Sequence, residues 1–121
     1  MAGSLPTNSM DQLARDLALE LRSRGDVASD SAVTEIRDSP TPWLTFEFTL
    51  YQFLPVAFIY DRGRGGFSVD YGGRRVSLLK LQDDHFDNGR VDVKRAVNDV
   101  LAAARLRIPD KFLESRGWQV A

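Results

Sequence analysis

The stretch from Trp43 to Tyr60 constrains the fold more than any other part of the sequence. It is eighteen residues long, and Glu47 is its only charged residue. Its first half alternates apolar residues with polar ones, and the apolar positions are Leu44, Phe46, Phe48 and Leu50. A period of two places them on one face of a β-strand. A membrane-spanning helix needs roughly 20 mostly apolar residues. The alternation and Pro55 therefore favour a half-buried sheet.

A glycine pair predicts a tight hairpin further along the chain. Gly72-Gly73 suits a two-residue turn, because both glycines accept positive φ. Folding about this turn places four pairs opposite each other: Phe67 and Leu78, Ser68 and Ser77, Val69 and Val76, Asp70 and Arg75. A slip of one residue would put Asp70 against an apolar partner, so the register is specified.

Helices are predicted on both sides of the strand region. Ser9 and Gln12 match a capping box, and the apolar stripe that follows has helical spacing up to Gly25. A second stripe begins after Asp92 and ends before Ile108-Pro109: Val93, Ala96, Val97, Val100, Leu101 and Ala104. We expect further helical turns over Asp110–Arg116, after which Gly117 ends them and Trp118 packs back on the body.

The sequence thus predicts one α+β domain over residues 1–121, with 1–8 as a flexible amino-terminal tail. An antiparallel sheet of four to five strands is expected between Ala32 and Leu81, with the amino-terminal helix and one long plus one short carboxyl-terminal helix packed on one face. Asp26–Ser31 is small and polar and is predicted as a loop. The connection from Tyr51 to Pro55 is left open between a bulge, a bend and a wider loop.

Composition excludes several kinds of site. The chain has no cysteine, which rules out disulfides, thiolate zinc sites and iron–sulfur clusters. Its net charge of −1 is not that of a polycationic nucleic-acid binder. Residues 1–9 lack the basic start and apolar run of a secretory signal, so we expect a cytoplasmic protein with no membrane association.

The segment from Gln82 to Gly89 is the one concentration of groups able to do chemistry. It contains Asp83, Asp84, His85 and Asp87. A calcium loop starting at Asp83 would need glycine at its sixth position and glutamate at its twelfth, where Asn88 and Lys94 stand. The single histidine, His85, has no nucleophile motif to act with. We therefore expect an acidic surface loop with an exposed histidine, and no enzyme activity, catalytic residue, metal or cofactor.

Four arginines gather at the two hairpin turns, namely Arg62, Arg64, Arg74 and Arg75. They offer contacts to phosphates, so a small nucleic-acid-binding module is one alternative. The glycines beside them precede a strand rather than a helix start, which is not the geometry of a phosphate cradle. The prevailing expectation is that these arginines are solvated turn residues.

Trp43, Glu47 and Tyr51 fall on the sheet face opposite the apolar one. Two interpretations are open. Tyr and Trp are enriched at protein interfaces, so this face is a candidate binding surface. Alternatively, Trp43 and Tyr51 pack beneath the carboxyl-terminal segment that contains Phe112 and Trp118.

The acidic Asp83–Asp87 loop, the Trp43/Glu47/Tyr51 strand and the plain helical frame around them resemble, in overall organisation, bacterial immunity proteins of toxin–immunity systems. The resemblance implies a small cytosolic α+β protein that binds and blocks a cognate toxin, often a nuclease, by steric and electrostatic occlusion. The partner-binding candidates are Asp83, Asp84, Asp87, Trp43, Glu47 and Tyr51. A secretion-type chaperone or adaptor is the alternative within the same class. The identity of the partner, and whether the chain is a monomer or a homodimer, stay open.

Overall fold

The computed structural model describes residues 9–118, and the predicted tail over 1–8 lies outside that range. The chain opens with helix α1, Met10–Ser23, and the strands β1 Ala28–Arg37, β2 Trp43–Leu50, β3 Leu54–Asp61, β4 Arg64–Tyr71 and β5 Arg74–Lys80 follow. A 3₁₀ turn, Asp83–His85, leads into a short hairpin of β6 Phe86–Asp87 and β7 Arg90–Val91. The helices α2, Val93–Arg105, and α3, Asp110–Ser115, complete the described chain.

The five long strands form an antiparallel sheet in sequence order, β1-β2-β3-β4-β5. Together with the amino-terminal helix and the two carboxyl-terminal helices, this confirms the predicted α+β fold class. The strands β6 and β7 pair only with each other. They belong to the connection between the sheet and α2.

The core lies between one face of the sheet and the two long helices. The alternating residues of β2 are all buried as predicted, with Leu44 and Leu50 fully inaccessible. The helices contribute the stripes that the sequence predicts, Leu13, Leu17 and Leu21 from α1 and Val97 and Val100 from α2 among them. One face of the sheet is therefore covered, while none of the helices described within residues 9–118 packs on the face that carries Glu47.

The predicted turn at Gly72-Gly73 is present, and both glycines have positive φ. Val69 pairs with Val76 and Asp70 with Arg75, as expected. The predicted pairing of Phe67 with Leu78 is wrong, because a bulge leaves Leu78 as an extra residue and Phe67 pairs with Leu79. Gly66 lies beside this bulge, where a Cβ atom would come within 2.8 Å of the Leu79 carbonyl oxygen.

The helix ends follow the sequence signals. Ser9 caps α1 by accepting the Gln12 amide at 3.1 Å, although the Gln12 side chain donates to Asp16. Asp92 caps α2. At the end of α3, Gly117 has φ +84° and the Trp118 amide donates to the Leu113 carbonyl, so the chain turns back onto the body as predicted.

One predicted connection is wrong, and one that the sequence left open is now defined. The loop predicted over Asp26–Ser31 is wrong from Ala28 onward, because Ala28 pairs with Leu50 and extends β1. Asp30, at φ +54°, lies in the bulge that lets this strand continue. The open connection after β2 is a tight turn: Tyr51 and Gln52 both have φ +56°, and the next amide donates to the Leu50 carbonyl at 3.0 Å.

Candidate functional site

A groove of about 630 Å³ lies between the second half of α1 and the segment that runs from β6 into α2. We call it the acidic groove. Its lining residues are Asp16, Leu19, Glu20, Ser23, Asp87, Arg90, Val91, Asp92 and Val93. Four of these nine side chains are carboxylates, and Arg90 is the one cation among them.

The helical period of α1 determines one wall of the acidic groove. Leu13, Leu17 and Leu21 are buried against the sheet. Residues that lie between these positions in the sequence point away from the core, since a helix turns about 100° per residue. Asp16, Leu19 and Glu20 occupy that outward surface, and Leu19 keeps 57% of its area exposed.

The β6–β7 hairpin and the start of α2 form the other wall. Asp87 and Arg90 face each other across a turn in which Asn88 and Gly89 both have positive φ. Asp92 follows as the N-cap of α2, and its carboxylate accepts the Arg95 amide at 3.2 Å. A carboxylate at this position is also stabilised by the positive end of the helix dipole.

The charge of the acidic groove is only partly neutralised within the chain. Glu20 pairs with Arg24 at 2.8 Å, and Asp16 accepts from the neutral side chain of Gln12. Asp87 lies opposite Arg90 in its hairpin. A concave surface with an excess of one sign of charge attracts partners of the opposite sign and speeds their association.

His85 holds the acidic loop against α2. The expectation of an exposed histidine is wrong, because the residue is 3% exposed. The Gln82 amide donates to Nδ1 at 2.8 Å, so Nδ1 is unprotonated and the ring proton is on Nε2. That proton is donated to Asp99, with an Nε2–Oδ2 distance of 2.6 Å. Both ring nitrogens are occupied by the chain itself, which explains how a polar ring is buried here.

The three predicted aspartates of the loop have different surroundings. Asp83 and Asp84 lie in the 3₁₀ turn, and Asp84 binds Arg95 at 3.0 Å. Asp87 is the member of this set that lines the acidic groove. Within residues 9–118, no group of three or more His, Asp or Glu side chains is arranged to hold one metal ion.

Trp43 and Glu47 lie on the uncovered face of the sheet. The Trp43 indole N–H donates to Thr45 at 3.1 Å, and the Arg37 guanidinium lies 5.5 Å from its ring centre. Glu47 lies 3.7 Å from Arg75 and accepts from the Thr34 hydroxyl at 3.1 Å. This face therefore carries an exposed ion pair and a cation–π contact.

Tyr51 does not join that face. It is 4% exposed and packs edge-on against Trp118, with ring centres 5.2 Å apart. The interpretation that it lies beneath the carboxyl-terminal segment is confirmed for Tyr51, whereas Trp43 is at the other end of β2. Burial raises the pKa of the Tyr51 hydroxyl above its usual value, and Arg105, whose guanidinium lies 5.8 Å from the ring centre, opposes that shift.

The hairpin arginines do not form one patch. Arg62 and Arg64 lie at one end of β4, and Arg74 and Arg75 at the other. Eight extended residues separate the two ends by roughly 25 Å. Arg62 pairs with Asp61 at 2.9 Å. The four side chains therefore do not converge on one phosphate.

The sequence identified Asp87 but not the other eight residues of the acidic groove, and these include Asp16, Leu19, Glu20 and Asp92. The helical period of α1 was signal enough to place Asp16, Leu19 and Glu20 on an outward face. It did not indicate which outward residues meet the loop after β5, because that depends on how α1 and α2 pack together.

Comparison with protein families, curated proteins and solved structures found no match to this chain. Among the described residues, no helix has the length and apolar character needed to cross a bilayer.

Proposed function

We propose that this chain is a protein-binding inhibitor of the immunity-protein kind, which blocks a cognate bacterial toxin with a basic surface. The observation that carries the proposal is the acidic groove, with four carboxylates and one cation in its lining. A nuclease is the toxin class that fits best, because a protein that binds polyanionic substrate presents a cationic surface. Inhibition then consists of covering that surface.

The composition of the acidic groove suits a protein partner better than a small ion. Protein interfaces combine apolar contacts with a polar rim. Leu19 supplies an exposed apolar side chain beside Glu20 and Asp16. The surrounding carboxylates would steer a basic partner toward it and raise the association rate.

The two hydrogen bonds of the His85 ring support the proposal, because they hold one wall of the acidic groove in place. The ring joins the start of the acidic loop to α2 through Gln82 and Asp99. The Asp92 amide also donates to the His85 carbonyl at 2.7 Å, next to the groove. A surface that is already ordered loses less conformational entropy when it binds. We place this activity in the cytoplasm, as expected for a cysteine-free chain.

The experiment uses the full chain, tagged, as bait in its native host. The double variant Asp16→Lys/Asp87→Lys reverses two charges of the acidic groove. The matched control, Asp110→Lys/Glu114→Lys, makes the same charge change on the exposed surface of α3. We expect the wild type and the control to capture one protein whose toxicity they neutralise on co-expression. The groove variant should bind that protein at least tenfold more weakly and fail to protect cells.

Two results would overturn the proposal. One is a captured toxin that binds the groove variant as tightly as the wild type. The other is recovery of nucleic acid alone, or of a protein whose expression harms no cell. Circular dichroism of each variant shows that the fold is retained, so that a loss of binding reports on the surface charge.

A further inference from the structure

Strand β1 forms one edge of the sheet, with no described strand outside it. It is ten residues long, and every residue from Asp30 to Arg37 is exposed. An edge strand presents a row of backbone N–H and C=O groups that pair readily with another extended chain. The length and exposure of β1 make it available for such pairing.

The outer part of β1 exposes apolar side chains on the face that the helices cover elsewhere. Val33 pairs with Phe46 and Ile36 with Leu44, and both β2 partners are buried. Val33 and Ile36 nevertheless keep 43% and 45% of their areas exposed. A neighbouring strand with an apolar residue opposite Ile36 would cover that side chain.

The charged residues near the end of β1 are complementary to those of the same strand in a second copy. Glu35 and Arg37 flank Ile36, and both lie on the uncovered face, opposite Thr45 and Trp43. In an antiparallel pair centred on Ile36, Ile36 lies opposite Ile36 of a second copy. Glu35 of each copy then lies opposite Arg37 of the other, which gives two pairs of opposite charge. We infer that two copies of this chain pair through β1 into a symmetric dimer with one continuous sheet. The inference holds whether or not the acidic groove binds a toxin.

This pairing is short, because β1 ends at Arg37 and because the strand is interrupted before Glu35 by two bulges. They lie between Ser29 and Ala32 and between Val33 and Glu35. Glu35–Arg37, the centre of the pairing, runs in regular register with β2. A short ladder implies a dimer that forms at moderate protein concentration and dissociates on dilution.

The opposite edge of the sheet explains why pairing would stop at two copies. Strand β5 carries Arg74, Arg75 and Lys80 and has no acidic residue. Like charges directly opposite each other in neighbouring strands are destabilising. Self-pairing through β5 is therefore disfavoured, and a β1 pairing closes on itself because it is isologous.

The test is a concentration series by sedimentation equilibrium, from micromolar to near-millimolar protein. Wild type should pass from monomer to dimer mass. Glu35→Arg leaves only positive charges at the interface, and Arg37→Glu leaves only negative ones. Each should weaken dimerisation by roughly 10- to 100-fold. The control Arg107→Glu makes the same charge change at an exposed position outside both edge strands and should dimerise like the wild type.

Two further samples in the same experiment test whether restoring opposite charges restores the dimer. The double variant Glu35→Arg/Arg37→Glu restores complementarity and should recover the dimer. An equimolar mixture of the two single variants should form a heterodimer, because the two arginines of one chain then face the two glutamates of the other. Three results would overturn the inference: wild type that stays monomeric throughout, single variants that dimerise normally, or single variants that neither the swap nor the mixing rescues.

Discussion

The burial of His85 gives the sharpest prediction about stability. The variant His85→Ala removes the ring that accepts the Gln82 amide at 2.8 Å and donates to Asp99 at 2.6 Å. Each lost hydrogen bond costs about 0.5–1.5 kcal/mol, with the Asp99 bond at the lower end because that side chain is 45% exposed. Emptying a buried site adds a cavity cost. We expect the free energy of unfolding to fall by about 2–4 kcal/mol.

Urea denaturation followed by circular dichroism measures this change. Two neighbours serve as matched controls. Asp99→Asn keeps an oxygen that accepts the Nε2 proton and should cost only about 0.5–1 kcal/mol. Asp83→Ala alters an exposed side chain in the same turn and should change stability by less than about 0.5 kcal/mol. If His85→Ala also changes the free energy of unfolding by less than about 0.5 kcal/mol, the two hydrogen bonds of the buried ring do not stabilise the fold as we expect.

Three further predictions concern the body of the fold. Burial raises the pKa of Tyr51 above 10, so the unfolded chain ionises first, and stability should fall as the pH rises past about 10. Tyr51→Phe should flatten that fall in urea titrations at increasing pH. Gly66→Ala places a Cβ atom 2.8 Å from the Leu79 carbonyl oxygen and should cost about 1–3 kcal/mol, measured as a lower Tm. Asp70→Ala removes the acceptor of the Gly73 amide and should cost about 0.5–1.5 kcal/mol by urea denaturation.

Local sequence patterns were enough to predict most of the frame. The alternation from Leu44 to Leu50 fixes a strand and its buried face, because a period of two admits no other regular structure. The stripe of α2 and the cap at Asp92 define that helix in the same way. At Gly72-Gly73 the turn and the cross-strand pairs agree with each other, so the register is correct up to the bulge at Leu78.

The features that escaped prediction depend on contacts between distant residues. Tyr51 and Gln52 adopt positive φ without glycine or asparagine, which local propensity does not favour. The packing of Tyr51 on Trp118, sixty-seven residues later, is one contact that holds this turn. His85 is buried because Asp99 comes to it from α2. Neither partner is indicated by the residues around the turn or the loop.

The acidic groove also combines residues that the sequence identifies with residues that only the packing brings together. The carboxylates of the loop could be identified as a candidate surface from the sequence, and Asp87 does line the groove. The wall supplied by Asp16 and Glu20 comes from a helix about seventy residues away in sequence. Only the packing of α1 beside the start of α2 brings the two sets of charges together.

We expect the acidic groove to be the surface that meets the partner. The most direct measurement is a map of backbone amide chemical shifts in isotopically labelled protein, titrated with the toxin that the capture experiment isolates. The largest shifts should fall at Asp16, Leu19, Glu20 and the segment from Asp87 to Val93. Shifts confined to the uncovered sheet face around Trp43 and Glu47, with those of the groove unchanged, would contradict it.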